Sequence, residues 1–358
     1  MRRVALFDID SRIPNLALMK LSAYYKTRGC EVVLARKPVR IETDKYFAST
    51  VFFRASSRKR IDALQALYGD RIEIGGSGIH LGKRLPAEAE ASFPDYGLYG
   101  HRSYALGFLT RGCHRRCAFC VVPEKEGAVK QTAGSFDDFV PSGQKNVMLL
   151  DDNLLSFNGV EALLTEMAER RLAVNFSQTL DISCVTETIY DRLLKVDYRN
   201  ARFNRRRIYF SCNYPGTISH FMARRAMLKS FGHDAVSVVC IYGFDTRLSQ
   251  DYARWMMLRR HQLIPFFQEY WPIPGVRARV PADFFDMDLN EVIRLTFRSN
   301  GQNWEKYLRW LNRLYYETFG RYYLPLIEII YRYNNKHRIQ RYLRNRTCLT
   351  RDLYRSFR

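Results

Sequence analysis

The sequence predicts an α/β protein with two parallel-sheet layers and a helical end, on three observations. Short apolar runs alternate with helix-like stretches from the first residues to about residue 270. The alternation breaks once, in a Pro- and Gly-containing stretch at 85–100, and it ends in a tail of helical periodicity from about residue 287.

VALFDID, at 4–10, is an apolar run with strand character. After Ile13 and Pro14, Leu18, Leu21 and Tyr25 recur at helical spacing, and Gly29 stands where a helix would stop. CEVVLAR reads as a second buried strand, completing a parallel βαβ unit. The run FASTVFF, a helix over IDALQALYG and the strand RIEIGG continue the pattern, so residues 1–84 are expected to form a small Rossmann-like layer. LPAEAEASFPDYGLYG lacks clear periodicity and is expected to be a linker or docking strap, within 85–103.

From Tyr104 the alternation is more regular. Strand-like runs are YALGFLT, NVMLLDD, LAVNFSQTL, RIYFSC, AVSVVCIYGF and LIPFFQEYW. Helix-like stretches lie between them: from Cys117 onward, Gly159 to Arg171, Thr186 to Lys195, Ile218 to Ser230 and Gln250 to His261, with Asn158 and Ser249 as expected N-caps. Residues 104–286 are therefore expected to curve into a partial (β/α)6 barrel of the TIM type, whose chemistry sits at the C-terminal ends of its strands. In the tail, 287–358, Trp304, Tyr307, Leu308, Leu311, Leu314 and Tyr315 mark one apolar helix face, Gly320 ends it, and a second helix is expected near Pro325.

The chain carries a net charge of +21, and the tail alone holds 15 Lys/Arg against 6 Asp/Glu. An anionic partner is expected, nucleic acid foremost, with an arginine-rich enzyme surface as the alternative. The opening carries only a four-residue apolar run and no late run is long enough to span a bilayer, so a cytoplasmic protein without membrane association is expected. Irregular spacing of the eight cysteines favours thiols or metal ligands over a disulfide framework, and Cys184, Cys212 and Cys240 read as buried thiols.

Chemistry concentrates at Arg111 to Gly127, RGCHRRCAFCVVPEKEG, where Cys113, Cys117 and Cys120 stand in a CxxxCxxC spacing. A structural zinc needs four protein ligands, and here the fourth would be His114, which comes directly after Cys113 and would strain to share its metal. A 4Fe-4S cluster on three thiolates instead leaves an iron open to a ligand. Phe119, Val121 and Val122 would shield such a cluster, and Arg111, Arg115 and Arg116 would raise its potential, face an anionic donor or simply lie in solvent.

The motif resembles that of the radical S-adenosylmethionine superfamily, CxxxCxΦC with aromatic Φ, here Phe119. TRGCxxxCAFCVVPxxxG is similar to the methylthiotransferases that modify tRNA. FDIDSR to EVVL, the LPxxxE and PDY of the linker, GFDT at 243–246 and WPIPG at 271–275 are similar to the radical enzymes with an N-terminal cobalamin-binding domain. The sequence lacks the Asp-x-His of a cobalamin loop, and only Cys30 precedes the motif, so neither cobalamin nor a second, N-terminal cluster is expected.

The resemblance implies that the open iron binds S-adenosylmethionine, which is cleaved reductively to a 5'-deoxyadenosyl radical that abstracts hydrogen from a substrate. It also implies a low-potential electron donor of the flavodoxin or ferredoxin type. Asp151, Asp152 and Asn153 would meet the cofactor's amino group, or serve as a turn cluster. Gln178, Asp181, Ser211 and Asn213 are ribose candidates, Gly243 would allow close approach, and Gln268, Glu269 and the turn Pro272 to Gly275 would lie by the adenine. No catalytic residue can be named; Tyr242, Tyr270 and Cys240 are the radical-carrying types present on the late strands.

The expected function is thus a radical S-adenosylmethionine enzyme whose substrate is unidentified, with RNA or another nucleic acid favoured by the basic, aromatic-rich tail. A small-molecule or peptide substrate is the first alternative. A non-catalytic nucleic-acid-binding protein stapled by a metal is the second.

Overall fold

The structure, a computed structural model, describes residues 2–100, 103–128, 134–232, 235–270, 280–296 and 303–334. The turn expected at Pro272 to Gly275 and the arginine-rich end therefore lie outside the described residues. The protein is mixed α/β with parallel sheets and divides into two compact units, the change falling between Phe210 and Ser211.

The first unit opens with β1 (Arg3–Asp8), α1 (Leu16–Lys26), β2 (Glu31–Ala35), β3 (Lys45–Ser49), α2 (Ala55–Tyr68) and β4 (Ile72–Gly75). These strands pair in parallel in the order β2-β1-β3-β4. Val4 to Phe7 are apolar without alternation because β1 is central and both its faces are covered; none is more than 1% exposed. Asn15 caps α1 by accepting from the Leu18 amide at 3.2 Å.

The strap comes next in the chain, with α3 at Ala87–Glu90. Its polar side chains bond both to the N-terminal layer and to the sheet beyond it. Asp95 accepts from Ser22 Oγ at 2.6 Å and Lys26 Nζ at 2.7 Å. Tyr99 donates to Asp8 at 2.8 Å, while Tyr96 donates to the Phe139 carbonyl at 2.6 Å and accepts from the Leu106 amide at 3.1 Å. Met19 of α1 packs with Leu106 and Met148 in one buried cluster. The strap thus joins the N-terminal layer and the next sheet within the first unit.

That next sheet comprises β5 (Ala105–Gly107), α4 (Val122–Lys125), β6 (Asn146–Leu149), α5 (Val160–Glu169), β7 (Ala173–Phe176), α6 (Glu187–Lys195) and the short β8 (Asp197–Tyr198). The strands run parallel in the order β5-β6-β7-β8. β9 (Ile208–Ser211) then crosses into the second unit. Leu180 forms a parallel bridge with Phe210, its amide donating to the Tyr209 carbonyl at 2.8 Å.

The second unit holds α7 (Thr217–Ala223), α8 (Arg225–Ser230), β10 (Val236–Tyr242), α9 (Leu248–Arg260), β11 (Ile264–Glu269), α10 (Leu289–Thr296), α11 (Trp304–Phe319) and α12 (Leu324–Asn334). β10 and β11 pair in parallel from Ser237 with Ile264 to Tyr242 with Glu269. The apolar face of α11 closes this unit: Trp304, Tyr307, Leu308, Trp310 and Leu311 are buried with Tyr242, Trp255 and Phe267. Beneath them lies the ion pair of Asp251 and Arg254, both fully buried. Arg254 also donates to the Cys212 carbonyl at 2.8 Å and the Ile241 carbonyl at 3.1 Å, and Asp251 accepts from Thr246 at 2.8 Å.

Several local expectations are corrected. The helix expected from Cys117 starts only at Val122, since the motif residues turn around their own sulfurs. The stretch Ile218 to Ser230 forms two helices parted at Arg224. Asn158 does not cap α5, which starts after Gly159 without a side-chain cap. Ser249 lies inside α9 and bonds Asp286, while Arg247 and Gln250 form the capping box. Among the described residues no helix is long and apolar enough to cross a membrane.

Candidate metal centre

The motif loop leaves the C-terminal end of β5, and the residues just past β6 hold it there. Asp151, 5% exposed, receives the Leu109 amide at 3.2 Å, the Thr110 amide and the Thr110 hydroxyl at 2.7 Å. Burial pushes its carboxyl up to about 6 against the pull of these donors. Asp152 accepts from the Gly112 amide at 2.9 Å, and burial raises it as well. Asn153, also 5% exposed, donates Nδ2 to Cys113 Sγ at 3.3 Å, while its Oδ1 is buried without a hydrogen-bond partner.

The loop closes on itself. The Cys113 amide donates to the Gly127 carbonyl at 3.0 Å. This is possible because Gly112 has φ +93° and no side chain: a Cβ there would stand 2.7 Å from the Gly127 oxygen. Glu126, its side chain 6% exposed, lies 3.2 Å from Lys125, 3.5 Å from Arg111 and 3.8 Å from Arg84. Three cations around one carboxylate anchor the loop's far end.

Inside the loop, backbone amides face two of the sulfurs: Arg115 N to Cys113 Sγ at 3.4 Å and Val122 N to Cys120 Sγ at 3.5 Å. Such donors favour sulfur in its charged, metal-binding form. Without a metal, burial first and then the charges of Cys120 and Cys113 push the Cys117 thiol up to about 11, and burial raises Cys120 too. The charges of Cys113 and Cys120 both act on Cys117, so the three sulfurs lie near one another at the head of the loop. In a 4Fe-4S cluster each of three such thiolates takes a different iron. The donor set therefore fits a 4Fe-4S cluster, and the orphaned Asn153 oxygen fits an ammonium ligand beside Cys113.

Of the other expected residues, Phe119 is half-buried in the loop and Gln178 is exposed past β7. Asp181 is paired with Arg115: although burial opposes it, Arg115 and Ser183 hold its carboxyl below the usual range, with Arg115 Nε at 2.6 Å. Ser211, Asn213, Gly243 and Gln268 belong to the second unit. There Asn213 accepts from the Ile241 amide at 3.0 Å, and Gln268 is exposed. Gly243, φ +79°, is closely approached by the Trp310 indole, 3.1 Å from where a Cβ would stand. Sequence reasoning missed Thr110, Glu126 and the Arg115–Asp181 pair. Their partners lie 15 to 66 residues away, and only the TRG lead-in and the Asp-x-Ser turn signal at 181–183 hinted at them.

No family model matches the chain, and no curated protein matches it. Among solved structures it is similar to SuiB of Streptococcus suis bound to S-adenosylmethionine, at 12% identity and TM-score 0.35, covering 56% of this chain and 49% of that one. SuiB alone gives TM-score 0.36, with 56% and 48% covered, and SuiB bound to the precursor peptide SuiA gives 0.35, with 54% and 44%, both at 12% identity. This chain spans about half the length of those it matches, and likeness at this level assigns neither ligand nor substrate.

Proposed function

We propose that this chain is a radical S-adenosylmethionine enzyme, with a 4Fe-4S cluster on Cys113, Cys117 and Cys120. The observation that carries the reading is the CxxxCxxC loop at the C-terminal end of a parallel strand, held by the residues ending the neighbouring strand. When bound, the cluster supplies the electron that cleaves S-adenosylmethionine to methionine and a hydrogen-abstracting 5'-deoxyadenosyl radical. The chain's own residues bind and orient. Asp151 and Asp152 fix the loop's entry, Asn153 presents Oδ1 to the amino group of the methionine moiety, and Phe119, Val121 and Val122 limit water at the sulfurs. The close approach at Gly243 is made by the Trp310 indole, while Gln178, Ser211, Asn213 and Gln268 remain proposed contacts to the rest of the cofactor. So do the partial-barrel arrangement of β5, β6, β7, β9, β10 and β11, the cytoplasmic location, the low-potential donor and the absence of cobalamin remain proposals.

The substrate is not assigned. For a nucleic-acid substrate, Trp304, Tyr307 and Trp310 are buried in the second unit's core and are not offered to bases, whereas Tyr316 and Phe319 of the same helix are exposed. A peptide or small molecule is the alternative. Anaerobic reconstitution tests the enzyme reading. It requires a brown protein with about four iron and four sulfide per chain, a reduced-cluster EPR signal altered by S-adenosylmethionine, and 5'-deoxyadenosine on adding dithionite. A colourless protein holding only zinc would sink the enzyme reading and leave the metal-stapled binding protein as the alternative.

A further inference from the structure

His114 turns its imidazole toward a different pair of residues from the motif cysteines. His114, Asp181 and Cys184 place a nitrogen, an oxygen and a sulfur within 4.8 Å of one another, with His114 Nε2 3.9 Å from Asp181 Oδ2. We propose that these three side chains hold a second metal, a single divalent ion of the zinc class, separate from the site of Cys113, Cys117 and Cys120.

The local structure supports it in three ways. Asp181 and Cys184 are fixed on one turn: the Asp181 carboxylate accepts from the Ser183 amide at 3.0 Å and the Ser183 hydroxyl at 2.7 Å, capping the single turn Ile182–Cys184. That turn holds the carboxylate and the thiol on the same side, and the motif loop brings His114 across to them. The donor set of imidazole, carboxylate and thiolate suits zinc or cobalt rather than calcium or magnesium, which prefer oxygen alone. Finally, ligand atoms around a tetrahedral ion stand about 3.3–3.8 Å apart, so a set already within 4.8 Å closes by small side-chain movements, the exposed His114 having the most freedom. Three protein ligands leave the fourth position to water or a small ligand. Arg115, whose Nε donates to the Asp181 oxygen that faces His114 and whose Nη2 donates to the other at 3.3 Å, competes with the ion for the carboxylate.

Cobalt(II) tests the site without the cluster. In the Cys113→Ser/Cys117→Ser/Cys120→Ser variant, a single equivalent should give a thiolate-to-cobalt charge-transfer band with the visible bands of tetrahedral cobalt. Adding Cys184→Ser should abolish the charge-transfer band, His114→Ala should weaken binding roughly tenfold or more, and Arg115→Ala should tighten it. A band that survives Cys184→Ser, or no band in a triple variant with native circular dichroism, overturns the proposal. If the triple variant does not fold, the cluster-loaded wild type serves. His114→Ala and Cys184→Ser should each lose a single zinc while iron is unchanged, and iron falling in step with zinc overturns a separate site. Failure of the enzyme reading would leave the cobalt result untouched.

Discussion

Replacing Gly112 by alanine acts on the motif loop where it has least freedom. At φ +93° a non-glycine residue costs about 1–3 kcal/mol. The new methyl would also stand 2.7 Å from the Gly127 oxygen and 2.9 Å from the Ala128 carbonyl carbon, backbone atoms that no rotamer change can move aside. Relief requires the two ends of the loop to part, giving up the Cys113–Gly127 hydrogen bond, worth about 1 kcal/mol. The closed loop should thus lose roughly 2–4 kcal/mol, or about 30- to 1,000-fold in population at tenfold per 1.4 kcal/mol. The core of the unit, centred on Val4 to Phe7, is not touched. The assay is iron content after anaerobic reconstitution, read beside a thermal melt. The expected result is a large loss of bound iron with little change in melting. Full iron loading at the wild-type rate would refute the reasoning that loop closure positions the thiols.

Three further outcomes are expected. Arg254→Met strands the Asp251 carboxylate in the second unit's core and should destabilise it by about 3–5 kcal/mol, whereas Asp251→Leu/Arg254→Met should recover most of this; a double variant as unstable as the single would contradict the pairing. Because burial and neighbouring sulfurs raise Cys117 to about 11 in the metal-free protein, its thiol is protonated at neutral pH, and iron must displace that proton. Cluster assembly should therefore quicken as pH rises from about 7 to 9, and a pH-independent rate would speak against buried thiols. Affinity for bulk tRNA, if the charge of the tail is used for RNA, should fall steeply with salt; no binding, or binding indifferent to salt, ends the nucleic-acid reading.

Legibility in the sequence was local. Val4 to Phe7, Val147 to Leu149 and Val236 to Tyr242 announce strands by their own composition, and Gly320, with φ +68°, ends α11 where its spacing said it would. The two-residue β8 is too short to leave a pattern. Caps failed where a distant partner outbid the local one, as when Asp286 took the Ser249 hydroxyl. The site divides in the same way. Cys113, Cys117 and Cys120 and the Asp151, Asp152, Asn153 triplet stood out in sequence, but not that Asp151 turns its oxygens to Thr110 and Leu109 while Asn153 keeps a buried oxygen without a partner. Gly243 signalled a close approach, and the group that approaches is the Trp310 indole, from a helix 67 positions later.

The most direct test of the cluster assignment is electron paramagnetic resonance of the reconstituted, dithionite-reduced protein, with and without S-adenosylmethionine. The expected result is a signal from a reduced 4Fe-4S cluster that shifts when S-adenosylmethionine is added and disappears in Cys117→Ala. A protein that holds no iron, or a cluster signal indifferent to S-adenosylmethionine, would contradict it.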